Sequence, residues 1–236
     1  MSSHKQHQQA QLALSLNLKD NCTFESYFAG PNADNIKIIQ SLLSSEGDRF
    51  IYIWGKRGVG CSHLLQAACH YANQQSLSSV YLSLDINENP QEMFQDLERL
   101  DLVCLDDIQQ IAGHPEWETA VFHLYNRLKD AKKKLIVAGN QPPKGLNIQL
   151  PDLLSRLQWG VAFQIFSLED DELVAALQLR AKQRGIILST EVCEFIIKRV
   201  NRSMSSLYQI LTKLDELSLT MKRNLTIPFV KMVLGL

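Results

Sequence analysis

Residues 50–73, FIYIWGKRGVGCSHLLQAACHYAN, decide the fold. The run Phe50–Trp54 has the length and apolar content of a buried strand, and His63–Asn73 has the pattern of a helix. Between them lies Gly55-Lys56-Arg57-Gly58-Val59-Gly60-Cys61-Ser62. Strand, glycine-rich turn and helix are the context that a phosphate-binding loop requires. Glycines let the backbone turn tightly and bring successive N–H groups toward one point. The helix N-terminus adds unpaired donors and positive dipole potential. Gly55, Arg57, Gly58, Val59, Gly60, Cys61, Ser62 and His63 are therefore candidate nucleotide-binding residues, with Ser62 where a P-loop Ser or Thr holds Mg²⁺. Cys61 stands where that loop requires Lys, and the lost ammonium weakens both triphosphate affinity and catalysis. Lys56 and Arg57 lie in the turn, where solvation competes with any phosphate contact. A loop that retains nucleotide with little turnover is expected; the bland alternative is a glycine turn that binds nothing.

A second motif follows in the expected order. Leu102-Val103-Cys104-Leu105-Asp106-Asp107 is an apolar run ending in paired carboxylates. It puts Asp106 at the end of a buried strand, suited to orient a Mg²⁺ water shell, and Asp107 where it can position an attacking water.

Outward from these motifs, short apolar runs at 80–84, 135–138 and 161–166 alternate with helical patterns at 91–99 and 117–129. Such alternation predicts a parallel sheet, here of five strands, covered by helices on both faces. After Ser167 strand signals stop. Residues 169–182, 191–200 and 205–218 read as amphipathic helices, with a fourth at 228–234. Ser167 with Asp170 resembles a capping start, and Gly185 a helix stop. The expected organisation is a polar tail over 1–20, an α/β nucleotide-binding domain over 21–166 and a helical lid over 167–236.

With Lys+Arg 24 against Asp+Glu 25, the net charge of -1 leaves no electrostatic footprint for nucleic acid. The odd count of 5 cysteines, with no CxxC pair, fits neither a disulfide framework nor a zinc site and points to a reducing cytoplasm. No signal peptide and no membrane-spanning run is expected. In the tail, Gln11-Leu12-Ala13-Leu14-Ser15-Leu16 alternates as an edge strand would, or as an extended peptide that docks on another protein.

These motifs together resemble the AAA+ family, in the branch of the bacterial initiator DnaA. GKRGVGCSHLLQA and LVCLDDIQQIAG resemble that branch's Walker A and Walker B segments. TFESYFAGP resembles the segment leading into the first strand, which implies that Phe24 and Phe28 lie near the base. LIVAGNQPP resembles sensor 1, with Asn140 at its polar position, and PDLLSRLQWG resembles the box carrying the arginine finger, which falls on Arg156. QLALSL resembles the sliding-clamp motif of a DnaA-related regulator group and implies docking through Gln11, Leu12, Leu14 and Leu16. The chain stops after LTIPFVKMVLGL, so the helix-turn-helix domain of DnaA is not expected. For that regulator group the resemblance implies inactivation of DnaA: bound to the DNA-loaded polymerase III clamp (its β subunit), the regulator promotes hydrolysis of ATP held by DnaA.

Two departures bear on chemistry. Cys61 is one; the other is Ser205, which matches the sensor-2 arginine, with Arg202 one turn earlier in NRSMSSLYQILTKLD. Both cations that would meet a γ-phosphate in cis are absent or displaced. The expected ligand is ADP, with or without Mg²⁺, and little intrinsic ATPase activity is expected. The rival function is an autonomous ATPase of helicase-loader type; a sequence-specific DNA binder fits worst. Self-association stays open. For single residues the bland readings are that Arg156 pairs with Asp152 on the surface, and that His63 and His70, seven apart on one helix face, pack rather than bind metal. An activated thiol at Cys61 is a weaker account of that position than simple loss of the lysine.

Overall fold

The computed structural model describes residues 18–19, 22–44, 49–221 and 223–236. The docking residues Gln11, Leu12, Leu14 and Leu16 lie outside these. In chain order the elements are α1 (Ala33–Ser44), β1 (Phe50–Trp54), α2 (Cys61–Gln74), β2 (Ser79–Ser83), α3 (Pro90–Met93), β3 (Leu102–Asp106), α4 (Pro115–Asp130), β4 (Lys134–Gly139), α5 (Pro151–Leu157) and β5 (Val161–Gln164). The lid follows as α6 (Asp170–Gln183), α7 (Thr190–Ile197), α8 (Met204–Met221) and α9 (Ile227–Leu234).

The five strands form one parallel sheet in the order β2-β3-β4-β1-β5. β1 is an interior strand, paired with β4 and β5, and both of its faces are apolar. Phe50 and Tyr52 pack under α4 and α5, whereas Ile51 and Ile53 pack under α1 and α2. This is why the strand reads as an unbroken hydrophobic run. From β1 the chain jumps past β4 and β3 to reach β2, so the strand order reverses beside β1. Ligands of open α/β sheets bind at the carboxyl ends of the strands beside such a reversal. The expected α/β architecture with a helical lid therefore stands.

The lid has its own core, built from Leu173 and Leu177 of α6, Phe195 and Ile196 of α7, Leu207, Leu211 and Leu214 of α8, and Phe229 and Val230 of α9. Leu207, Leu211 and Leu214 repeat at helical spacing along one face of α8. Among the described residues no helix is long and apolar enough to cross a membrane.

Several local expectations need correction. The helix expected over 91–99 is only α3 followed by a 3-10 turn at Leu97–Arg99. Asn89 caps α3, and Asp96, at φ 58, takes a left-handed conformation that a continuing helix does not allow. Helix α1 precedes the first strand and has no counterpart in the sequence reading; it buries Ile36, Ile39, Leu42 and Leu43. α6 is capped by Glu169 rather than Ser167, with the Glu172 carboxylate accepting from the Glu169 N–H at 2.8 Å.

Two buried polar side chains tie distant segments together. Glu118 of α4 is 0% exposed and accepts from the N–H groups of Gly113 (2.7 Å), Gln149 (2.9 Å) and Leu150 (2.7 Å). It thereby joins the loop before α4 to the start of α5. Asn32, also buried, donates to the Phe166 carbonyl at 3.0 Å and accepts from the Phe166 N–H at 2.8 Å.

Candidate nucleotide site

β1 ends at the glycine loop, and Gly55 N–H bonds the Gly139 carbonyl at 3.2 Å, setting the height at which the loop leaves the sheet. Gly58 (φ +89) and Gly60 (φ +107) take conformations that favour glycine. Their α-carbons are also covered. A Cβ on Gly60 would lie 2.6 Å from the Tyr27 ring, and one on Gly58 would lie 2.7 Å from Cβ of Ser203 in the lid. The Tyr27 hydroxyl donates to the Val59 carbonyl at 3.2 Å. The loop is thus held between the segment preceding α1 and the start of α8, and the Val59 N–H is already given to the Lys56 carbonyl at 3.2 Å.

Cys61 opens α2 and is half-buried. Burial, and then the nearby Asp106 carboxylate, push its thiol up to about 12. It is a neutral S–H at neutral pH, so it supplies neither the cation of a P-loop lysine nor an activated thiolate. Asp106 ends β3 almost fully buried and accepts from the Tyr81 hydroxyl at 2.8 Å and the Asp107 N–H at 2.9 Å. Burial raises its carboxyl above the usual range, while hydrogen bonds from Ser62 and Tyr81 pull it down. Ser62 and Asp106 are therefore brought together, and a hydroxyl beside a carboxylate at the mouth of a glycine cradle fits a hydrated Mg²⁺ on a phosphate chain.

Asp107 sits at φ 58, turning its carboxylate off the strand. Its oxygens accept from Gln109 Nε2 at 2.7 Å and Ser83 Oγ at 3.4 Å. Gln109 Oε1 accepts in turn from the Asn140 N–H at 3.1 Å. Gln109 thus links Asp107 to Asn140, which itself is exposed. The sequence reading missed both Gln109 and Tyr81.

The remaining candidates divide. His63 Nε2 lies 2.9 Å from the Thr23 carbonyl and 3.2 Å from Ser26 Oγ, and His70 Nε2 lies 3.1 Å from the Lys19 carbonyl. The two histidines hold the lead-in segment against α2. Burial holds His63 down at about 4, so it is neutral at pH 7. Phe24 packs edge-on against Tyr71 in the core, at 5.8 Å between ring centroids, and Phe28 lies beside Gly30. Tyr27, not singled out from the sequence, is the aromatic of this segment that meets the loop. Arg57 is exposed. Arg202 is paired with Asp170 at 3.0 Å, and Ser205 is exposed, its hydroxyl 3.2 Å from that of Ser203.

Arg156 is not at this site. It lies in the last turn of α5, with its guanidinium carbon 5.6 Å from the centroid of Tyr125, whose ring packs on Phe50 at 5.2 Å. Phe50 begins β1 and Gly55 follows its end, so Arg156 is placed at the opposite end of the strand from its own loop. Among the described residues it forms no ion pair, so the bland pairing with Asp152 is absent.

Residues 18–164 match the family model for the bacterial DnaA ATPase domain, and residues 170–234 match the model for the lid domain of Hda. Among solved structures, domain III of the Thermotoga maritima replication initiation protein DnaA superposes with a TM-score of 0.80 at 22% identity, over 92% of this chain and 97% of that one. AMPPCP-bound DnaA from Aquifex aeolicus gives 0.73 at 22% identity, over 88% and 69%. The Thermotoga maritima RuvB Holliday junction branch migration motor gives 0.64 at 14%, over 86% and 68%.

Proposed function

We propose, from the premise that this chain belongs to the bacterial DnaA ATPase-domain family and carries an Hda-type lid, that it is a nucleotide-bound regulator acting in trans on DnaA. In this reading it is tethered to the DNA-loaded sliding clamp and promotes hydrolysis of ATP held by DnaA. The observation that carries the reading is an asymmetry: the cations that would serve a γ-phosphate in cis are replaced by Cys61 and Ser205, while Arg156 is kept, far from its own loop. An arginine so placed serves a neighbour's nucleotide.

Within the chain, the loop from Gly58 to Ser62 would hold the β-phosphate through backbone N–H groups, and Ser62 with Asp106 would hold Mg²⁺ through its water shell. Asp107 and Asn140 complete the polar edge of the site. ADP is expected to bind at least as tightly as a non-hydrolysable ATP analogue, and the purified chain is expected to turn over little ATP. Cys61→Lys should shift the preference toward the triphosphate by about tenfold, the equivalent of one hydrogen bond to a charged group. Calorimetric titration checks the two statements on affinity, and phosphate release from ATP checks turnover. A clear wild-type preference for the triphosphate, with steady turnover, would favour the autonomous ATPase instead.

Clamp tethering is assigned to Gln11, Leu12, Leu14 and Leu16. An extended peptide with a leading amide and spaced leucines inserts side chains into a pocket while its backbone lies along the surface. Leu14→Ala with Leu16→Ala should abolish clamp capture and leave thermal unfolding unchanged; normal capture by the double variant would sink the assignment.

A further inference from the structure

We infer that Tyr125 and Trp159 are positioning residues for Arg156, holding its guanidinium by ring faces so that its hydrogen-bond donors stay free for a partner's phosphate. The inference rests on the reading of Arg156 as a finger in trans.

The guanidinium carbon of Arg156 lies 5.6 Å from the Tyr125 centroid and 5.4 Å from the Trp159 centroid. Both distances are within the reach of cation–π attraction, which Arg makes more often than Lys. Among the described residues the Arg156 side chain has no hydrogen-bonded or ion-paired partner; the two rings are what fix it. That combination matters chemically. A carboxylate partner would fix the guanidinium equally well but would occupy the fork of N–H groups that has to meet an oxyanion. Ring faces fix it without using any donor.

The two rings are fixed by different means. Tyr125 is buried and locked edge-on against Phe50 at 5.2 Å. Trp159 is 55% exposed, and its backbone N–H donates to the Arg156 carbonyl at 3.1 Å, closing the last turn of α5. Gly160 follows at φ +98, where an added Cβ would lie 2.7 Å from the Phe50 carbonyl, so the chain enters β5 abruptly and the indole stays beside α5. Lys129 Nζ lies over the same indole at 4.4 Å, a second cation that holds the ring in place. The result is a rigid inner wall, an exposed outer wall and a planar cation kept extended at the surface.

Catalysis by a positioned cation is sensitive to small displacements, and a shift of about 1 Å costs up to about a hundredfold in rate. Trp159→Leu is therefore expected to lower the maximal stimulation of ATP hydrolysis on DnaA by about tenfold, with the half-saturating concentration unchanged, and Trp159→Phe to recover most of it. The independent readout is the Arg156 Nε–Hε resonance, assigned by its loss in Arg156→Ala. It should lie upfield in the wild type because of the ring currents and move downfield in Trp159→Leu and Tyr125→Leu. A resonance that does not move overturns the stack. A resonance that moves while stimulation stays normal overturns the positioning role. Full stimulation by Arg156→Ala removes the finger reading, and this inference with it.

Discussion

Arg156→Ala should reduce stimulation of DnaA-bound ATP hydrolysis by about 10³-fold or more, the range in which arginine fingers act in well-studied systems. The expectation follows from where the residue is. Its guanidinium sits over Tyr125, beside the first residue of β1, and cannot serve the loop at the other end of that strand. Its loss should therefore leave ADP binding and clamp capture intact. Arg156→Lys keeps the charge but loses the planar fork and the fit to the two rings, so a deficit of at least about tenfold is expected rather than rescue. The assay follows conversion of DnaA-bound ATP with DNA-loaded clamp and equal concentrations of each variant. Wild-type stimulation by Arg156→Ala would return the residue to the general pool of surface arginines.

Glu118→Ala should be among the most destabilising single changes in the α/β domain. The carboxylate is fully buried and satisfies three backbone N–H groups, those of Gly113, Gln149 and Leu150. Removing it strands those donors away from water at about 1–3 kcal/mol each, partly relieved by local rearrangement. A net loss of about 3–5 kcal/mol corresponds to a fall of roughly 10 °C in Tm for a chain of this size. Glu118→Gln makes the sharper test. A carboxylate only accepts, and both of its oxygens face N–H groups here, so an amide would point a donor at a donor. The Gln variant should be nearly as unstable as the Ala variant, and wild-type stability on thermal unfolding would overturn the account. Gln149 and Leu150 lead directly into α5, so the same change should disturb Arg156 as well.

What the sequence made legible, and what it hid, follows from the range of the interactions involved. The glycine loop, the flanking strand and helix, and the Asp106–Asp107 pair are local patterns whose chemistry is carried by adjacent residues. The lid helices were legible for the same reason, since Leu207, Leu211 and Leu214 announce a buried face by spacing alone. Glu118 was hidden because a glutamate in an amphipathic helix reads as solvated, and only the fold brings residues 31 and 32 positions away to it. Gln109 and Tyr81 were hidden likewise, their partners being set by strand pairing and loop return. In TFESYF, periodicity cannot say which ring meets the loop; Tyr27 does because Phe24 turns inward onto Tyr71. α1 was missed although its apolar residues recur at helical spacing.

Asn32 has a mechanical consequence. Its carboxamide pairs with Phe166 in both directions, at 3.0 and 2.8 Å, as a neighbouring strand would, and so carries the sheet's grip beyond the end of β5. On the far side, α6 is already wound at Glu169, whose carbonyl accepts from the Leu173 N–H at 2.8 Å. Between these two anchorages the backbone torsions left to turn are those of Ser167 and Leu168. The four lid helices act as one body because they share one core, and α6 is fastened a second time where Gln183 Nε2 donates to the Glu25 carbonyl at 3.0 Å. Ser203, resting on Gly58, is a third point at which that body is held to the α/β domain.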